Sequence, residues 1–531
     1  MSDKIQSSNN SRFISVAPSN QTEFNPGQKC IIDLDESLGY IKGRDSYLCL
    51  DVSNTSTFKD RWSFPNGVGA SALIQRVDFY SRATGQLLES LNNYNQWVGI
   101  ENQYIHDDFA HQERVEGVGV PSNQYTSGYL GAGGEYKQVQ NMDPSLIGNN
   151  LVSPTNTDGT SAYMSRRYLV PLKCGLFRWW DSEKLCPVLN MGGLRIELTF
   201  APVGQVCKRL GFKNNKASDL DSHIVRNYKD TSVHCKDDNA TAYIRTDEAE
   251  DRGNFKDIHH MGLTVGNQIE ITLTSGGSQS TISKTITQLE DLTGGSIKIH
   301  FTGAIPATST DITYKLKFNT LNYKVNAVAM RVVQMTVPKE GMDKLSKPMK
   351  YEFTSYDQFL NTLPTTVLRH QVPVSSVASK AVSMFSTFTD STTEEDSVDM
   401  SYYTGVLPDD SKLNSIQYFI NNRLYPLQSY NPNSKEDKPL TLNELNKALK
   451  TISKPPQNLG SSERGNVNNY SNTFLLSREL ARGNFVFDLR NAEPEIRLGF
   501  SATRTNVNRI NTYVFSKKVV DISPQGLMVE L

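Results

Sequence analysis

The chain contains no run approaching eighteen consecutive apolar residues, so no helix in it is expected to span a membrane. Its cysteines, Cys30, Cys49, Cys174, Cys186, Cys207 and Cys235, include no C-x-x-C pair. Zinc and thiol redox chemistry therefore lack support, and free thiols in a reducing compartment are expected. Neither sign of charge is in excess, since 55 Lys and Arg face 56 Asp and Glu for a net charge of −1. Binding to nucleic acid without sequence preference needs a surplus of cations to neutralise phosphates, so dedicated DNA or RNA binding is not expected. Residues 1–28 are rich in Ser, Asn and Gln, and Asp3, Lys4, Arg12 and Glu23 cancel. They lack the apolar centre of a secretion signal and the Arg bias of a transit peptide, and read as a flexible N-terminal arm. No G-x-S-x-G elbow is present, which removes the usual support for a hydrolase serine.

The strand signal is what the sequence does have. Hydrophobic residues make up 37% and charged residues 21%, too much of the first and too little of the second for a disordered chain. Ser, Thr, Asn and Gly are abundant, and blocks of strong helix formers are scarce. In Leu194–Phe200, Leu194, Ile196, Leu198 and Phe200 share one face, while Arg195, Glu197 and Thr199 take the other. That two-residue period with one wet face marks an antiparallel strand in a sandwich wall. Similar segments are expected at 29–34, 47–53, 72–80, 86–91, 168–173, 269–274, 281–287, 297–301, 312–318, 325–337, 381–388, 416–420, 484–489, 495–500 and 512–520. One helix is expected from Thr441, where Thr441-Leu442-Asn443-Glu444 forms a capping box.

Three segments recur in the same order. Ile74-Gln75-Arg76-Val77 is echoed by Ile416-Gln417-Tyr418-Phe419, Ile196–Phe200 by Ile496–Phe500, and Val332–Met335 by Val519–Ile522. They point to two similar sandwiches in tandem. The first is placed at 29–337, a linker at 338–348 and the second sandwich at 349–531. Two insertions interrupt the first, a loop at 104–165 and, at 203–320, a stretch ending in a small β appendage. Long insertions are tolerated at loop ends because closure entropy grows only logarithmically.

The strands Tyr168–Phe177, Leu185–Leu189 and Gly193–Leu198 carry a V-P-L-x-x-G-L-F turn followed by L-R-I-E-L. In this order they resemble the double jelly-roll major capsid proteins of the Polinton, polinton-like virus and virophage group. Gly69 to Tyr94 is similar to that family's early sandwich region, and Lys350–Phe353 through Ser379–Ala381 to the opening of its second jelly roll. The similarity spans roughly two-thirds of the chain. It implies an all-β fold of two tandem eight-stranded antiparallel jelly rolls, with no catalytic, metal or cofactor site. It also implies a homotrimer forming pseudo-hexagonal capsomers of an icosahedral virion around double-stranded DNA. The partners implied are neighbouring copies, a penton protein, minor or cement capsid proteins and, through outer loops, a host receptor.

Other chemistries have weaker footing. His106, Asp107, Asp108 and His111 could gather around a metal, but a solvated loop explains them as well. His259-His260 and His234-Cys235 with Asp237 and Asp238 are poorer candidates, since neighbours on a strand point to opposite faces. Gly128–Gly134 lacks the Gly-Lys-Ser/Thr ending of a phosphate loop. Glu394-Glu395-Asp396 reads as a solvated acidic run, and glycosidase chemistry needs two carboxylates held in a cleft. Trp179-Trp180 beside Phe177 is expected to be buried or at an interface. The alternative function, a carbohydrate-binding adhesin or lectin, rests on the aromatic, Asn-rich stretch Asn92–Tyr104. A cupin-like or hydrolytic enzyme would need clustered His and Glu ligands, and the eight histidines are scattered.

Overall fold

The computed structural model describes residues 11–56, 62–65, 68–104, 117–118, 146–147, 165–181, 184–209, the strands between 226 and 316, 321–336, 349–391, 394–395, 401–404, 412–432, 434, 436–452, 474–481, 486–505, 508–523 and 526–530. The expected linker at 338–348 and nearly all of the expected loop at 104–165 lie outside them.

The first sandwich is built from β1 (Ser11–Val16), β2 (Glu23–Phe24), β3 (Lys29–Leu34), β4 (Tyr40–Asn54), β6 (Ile74–Ser81), β7 (Leu87–Leu91), β9 (Ser165–Pro171), β10 (Leu194–Phe200) and β19 (Tyr323–Met335). One sheet runs β1-β19-β4-β9, with β2 also on β19, and the other runs β3-β10-β6-β7. Between them, β5 (Trp62–Ser63), β8 (Leu146–Ile147) and β11 (Lys208–Arg209) make a small separate sheet. The second sandwich uses β20 (Met349–Thr362), β21 (Arg369–Pro373), β22 (Ala381–Thr389), β23 (Leu413–Ile420), β24 (Arg423–Tyr430), β25 (Leu476–Glu479), β26 (Glu495–Phe500) and β27 (Arg509–Ser523). Its sheets run β20-β27-β22-β25 and β21-β26-β23-β24, and β28 (Gly526–Glu530) adds a hairpin to β27.

With the two-residue β2 left aside and the others numbered one to eight in chain order, each sandwich pairs strands 1-8-3-6 in one sheet and 2-7-4-5 in the other, all antiparallel. This is the jelly-roll order, reached twice. The three echoes fall on the fourth, seventh and eighth strands of each sandwich. Their registers differ, however: Val77 pairs Leu198, whereas Ile416 pairs Leu498, so the Ile-Gln echo is displaced by three positions.

Residues 11–28 correct the expectation of a flexible arm. Ile14 and Val16 lean on the core, Phe24 is buried 5.4 Å from the Phe200 ring, and β1 and β2 close the sheet along β19. The Ser and Asn content hid this alternation. The helix expected from Thr441 begins a turn earlier, spanning Lys438–Lys450 (α2) with Asp437 as N-cap. Pro439, whose fixed φ suits the first turn, sets that start. Of the strand expected at 484–489, the described part shows only a bridge from Phe487 to Ala381.

The appendage expected to hold four strands shows seven among the described residues. These are β12 (Arg226–Tyr228), β13 (Cys235–Asp237), β14 (Thr241–Thr246), β15 (Gln268–Ser275), β16 (Ser278–Asp291), β17 (Ile297–Thr302) and β18 (Asp311–Leu316). They form one sheet ordered β12-β18-β15-β16-β17-β14-β13. Its two edges, β12 and β13, are consecutive in the chain. β15 pairs with Ser278–Thr285 of β16 and β17 with Ile286–Asp291, so the two halves of the sheet join along successive stretches of one long strand. Its register places Ile271, Ile282 and Tyr314 on one face, and Thr272, Thr281 and Thr313 on the other.

Because successive strands reverse, connections alternate between two ends of each sandwich. In the first, 55–73, 92–164 and 201–322 all leave one end, while 35–39, 82–86 and 172–193 turn at the other. One end carries the long insertions, and the opposite end carries shorter connections of which 172–193 is the longest.

Candidate functional site: the seam between two sandwiches

The most heavily constructed site in the molecule is the contact between its two halves. Helix α1 (Tyr94–Tyr104) follows the fifth strand of the first sandwich and puts Tyr94, Trp97 and Val98 at helical spacing. Trp97 lies 4.8–5.9 Å, centroid to centroid, from Tyr356, Phe385, Tyr513 and Phe515 of the second sandwich. Trp180 joins the same cluster, 5.8 Å from Tyr356 and edge-on to Phe515 at 5.1 Å. Tilted and edge-to-face rings at these distances add to the area they bury. This is the buried interface role expected of the pair, met by Trp180 within one chain; Trp179 is half-buried, with Arg44 and Lys173 over its ring.

Several buried polar groups at the seam find partners within the first sandwich or across to the second, while the Trp97 indole N–H has none among the described residues. Glu89 is 1% exposed, and its carboxylate accepts from the Gly175 and Leu176 backbone N–H at 2.8 and 2.9 Å and from the Ser355 hydroxyl at 2.6 Å. Burial pushes its carboxyl up from the ordinary value, and those three donors pull it back. Glu101 accepts from the indole N–H groups of Trp179 and Trp180 at 3.0 and 3.3 Å and pairs with buried Lys173 at 3.4 Å. Asp181 accepts from the backbone N–H and hydroxyl of Thr354, and Tyr351 donates to the Leu176 carbonyl at 2.8 Å. The Arg178 guanidinium donates to the Glu352 carbonyl. Gly175 is required here, since a Cβ would overlap the Thr354 carbonyl oxygen.

A second patch ties the elaborated ends together. Val68 and Ala72 of the first sandwich pack on Tyr402 and Tyr403 of the second, both pairs lying between the third and fourth strands of their sandwiches. Gln96 accepts from the Tyr513 hydroxyl at 2.5 Å and donates to the Tyr402 carbonyl at 2.9 Å. The two jelly rolls thus stand side by side with the same end up.

This arrangement removes the feature behind the adhesin reading. Asn92–Tyr104 is not a rim loop: Asn95 and Gln96 are buried and hydrogen-bonded across the seam to Tyr403 and Tyr402, and Glu101 and Asn102 are buried and bonded to Trp179 and Lys173 of their own sandwich. Glu394 of the acidic run accepts from Thr389 and pairs with Arg509 at 2.5 Å, so it is held as a structural ion pair. His106, Asp107, Asp108, His111, Gly128–Gly134, His234, Asp238, His259 and His260 lie outside the described residues. Among the described residues no three His, Cys, Asp or Glu side chains converge as a ligand set. Cys30, Cys49, Cys174, Cys186 and Cys207 are buried; burial raises the Cys30 and Cys186 thiols to about 12 and keeps them protonated. No helix among the described residues is long and apolar enough to cross a membrane.

Sequence reading missed Glu89, Glu101, Lys173, Gly175 and Asp181. One signal was available: a lone carboxylate inside the apolar run Leu87-Leu88-Glu89-Ser90-Leu91.

No family model and no curated relative matches the chain. Among solved structures it is similar to the Faustovirus major capsid protein, at 8% identity and TM-score 0.49, over 97% of this chain and 90% of that one. It is also similar to the quasi-atomic model of the PBCV-1 virus capsid, at 9% identity and TM-score 0.46, covering 98% and 96%. The mavirus major capsid protein is similar at 10% identity and TM-score 0.36, covering 98% and 90%. The strand pairings establish the fold independently. It is a double jelly roll.

Proposed function

We propose that this chain is a viral major capsid protein, a structural subunit and not an enzyme. Three copies would form a pseudo-hexagonal capsomer of six jelly rolls, tiling an icosahedral shell around double-stranded DNA. The observation that carries the reading is the pair of jelly rolls with the same strand order and the same end up, fixed together by a buried aromatic seam. A shell needs rigid blocks, and this seam makes two sandwiches into one block before any copy meets another. A net charge of −1 suits a wall that does not itself condense the genome. The division into sandwiches is placed at 338–348, and penton and minor capsid proteins are the further partners.

The test is direct. Purified protein is weighed in solution and imaged by electron microscopy, alone and with a co-expressed penton protein. A species three times the 59.4 kDa chain, and shells with the penton, are expected. A chain that stays monomeric at high concentration and neutral pH would contradict the reading.

A further inference from the structure

Beside the seam, three side chains of complementary reactivity meet in a buried setting. Glu101 and Asn102, neighbours near the end of α1, and Lys173, two residues past β9, are 2%, 6% and 6% exposed. The Lys173 Nζ donates to the Asn102 Oδ1 at 2.7 Å and lies 3.4 Å from the Glu101 Oε1. An amine, a carboxamide and a carboxylate are thus in contact around one atom.

Each is held in place. The Lys173 backbone N–H donates to the Tyr94 hydroxyl at 2.9 Å, which ties the root of the lysine to α1. The Trp179 and Trp180 indole N–H groups, one on each carboxylate oxygen, keep Glu101 turned toward the amine. The Nζ also lies 5.1 Å from the centre of the Trp179 ring. Aromatic walls lower the local dielectric, which favours a neutral amine and carboxylic acid over the charged pair. Groups fixed in contact also react at an effective concentration that dissolved reagents do not reach.

We infer that Lys173 and Asn102 join in an intramolecular isopeptide bond, with Glu101 as the proton carrier. Glu101 takes one proton from the Lys173 ammonium, and the freed lone pair attacks the Asn102 Cγ. As the Nζ–Cγ bond forms, Glu101 delivers that proton to Nδ2, and the Cγ–Nδ2 bond breaks with its electron pair leaving on nitrogen. Glu101 then receives a second proton from Nζ, which keeps its third as the amide N–H. Ammonia departs and takes up that second proton as ammonium, so the step needs no oxidant, metal or further substrate. It is a single turnover on the chain itself, and Glu101 ends as it began.

The bond joins positions 71 apart and closes the whole 104–165 insertion into a covalent loop. A chain cut within that loop would stay in one piece. The link also fastens α1, which carries Trp97, to its own sandwich, and a closed loop restricts the unfolded chain more than the folded one.

Full-length parent, Lys173→Arg and Glu101→Gln are purified, unfolded and weighed by mass spectrometry. The parent is expected to be lighter than its sequence by about 17 Da, the mass of one ammonia. Trypsin does not cut at an acylated lysine, so one branched peptide should join residues 83–114 to 168–178. Lys173→Arg should keep its full mass. Glu101→Gln should link at least about a hundredfold more slowly, the factor a placed proton carrier supplies. A parent at full mass, with Asn102 and Lys173 in separate peptides, overturns the inference whether or not the variants fold. An ammonia loss that Lys173→Arg retains, or a Glu101→Gln variant that links at the parent's rate, also overturns it.

Discussion

The same sheet face has opposite character in the two sandwiches. On the second, the outward side of the β20-β27-β22 sheet presents Tyr356, Phe385, Tyr513 and Phe515, all buried beneath α1 and Trp180. On the first, the matching β1-β19-β4-β9 sheet presents Asp51, Arg167, Leu169, Arg331 and Phe13 outward, with Arg167 and Asp51 paired at 2.6 Å and Leu169 39% exposed. Permanent interfaces are built like cores, whereas interfaces made and broken between folded partners keep polar surface. The duplication has therefore diverged in one respect above all: one face became core and the other stayed wet. The buried face holds the two sandwiches of the chain together.

The comparison breaks most readily at Trp97. Trp97→Ala removes four ring contacts from a closed site and is expected to cost about 3–5 kcal/mol. Denaturant unfolding should show this as an earlier midpoint, with the two sandwiches melting separately. A single transition at the parent's midpoint would show that the seam does not couple them. Glu89→Ala is next, at about 3 kcal/mol, because two backbone N–H groups and the Ser355 hydroxyl lose their acceptor while buried.

Glu89→Gln keeps the shape, and its signature is pH dependence. Burial holds the folded carboxyl above its ordinary value of 4.5, so the folded state binds this proton more tightly than the unfolded state does. Its contribution is then full below that value and declines as pH rises toward the folded one. Unfolding curves at a series of pH values should show the parent losing ground to the Gln variant as pH climbs from about 4.5. A difference that stays level would mean the donors fully offset burial. At the small end, Arg167→Ala breaks only a solvent-exposed pair on the wet face. It should leave the thermal midpoint of the single chain unchanged, and a clear drop would show that this face is core after all.

The sequence was most legible where one face of a strand is wet. β10 and β26 alternate cleanly, and their echo located the duplication. β22 was found, but its both-sided burial was not legible, since Ser383, Ser386 and Thr387 sit among the apolar positions. β20 was missed because Thr354, Ser355 and Asp357 interrupt its apolar period while meeting partners across the seam or along the sheet. Edge strand β24 was missed for the opposite reason, being exposed along most of its length. Helix α1 was not legible as a helix because its Asn and Gln residues look solvated until their partners, Tyr403, Tyr402 and Tyr513, 300 and more residues away in the chain, are brought close by the fold. Tertiary partners, absent from any local window, decide such segments.

Amide hydrogen exchange, compared strand by strand between isolated and associated chains, bears most directly on the seam as a permanent contact within one chain. The backbone of β20 and β27 around Tyr356 and Phe515 should be protected already in the isolated chain and gain nothing on association. New protection appearing at β20 and β27 on association would contradict it.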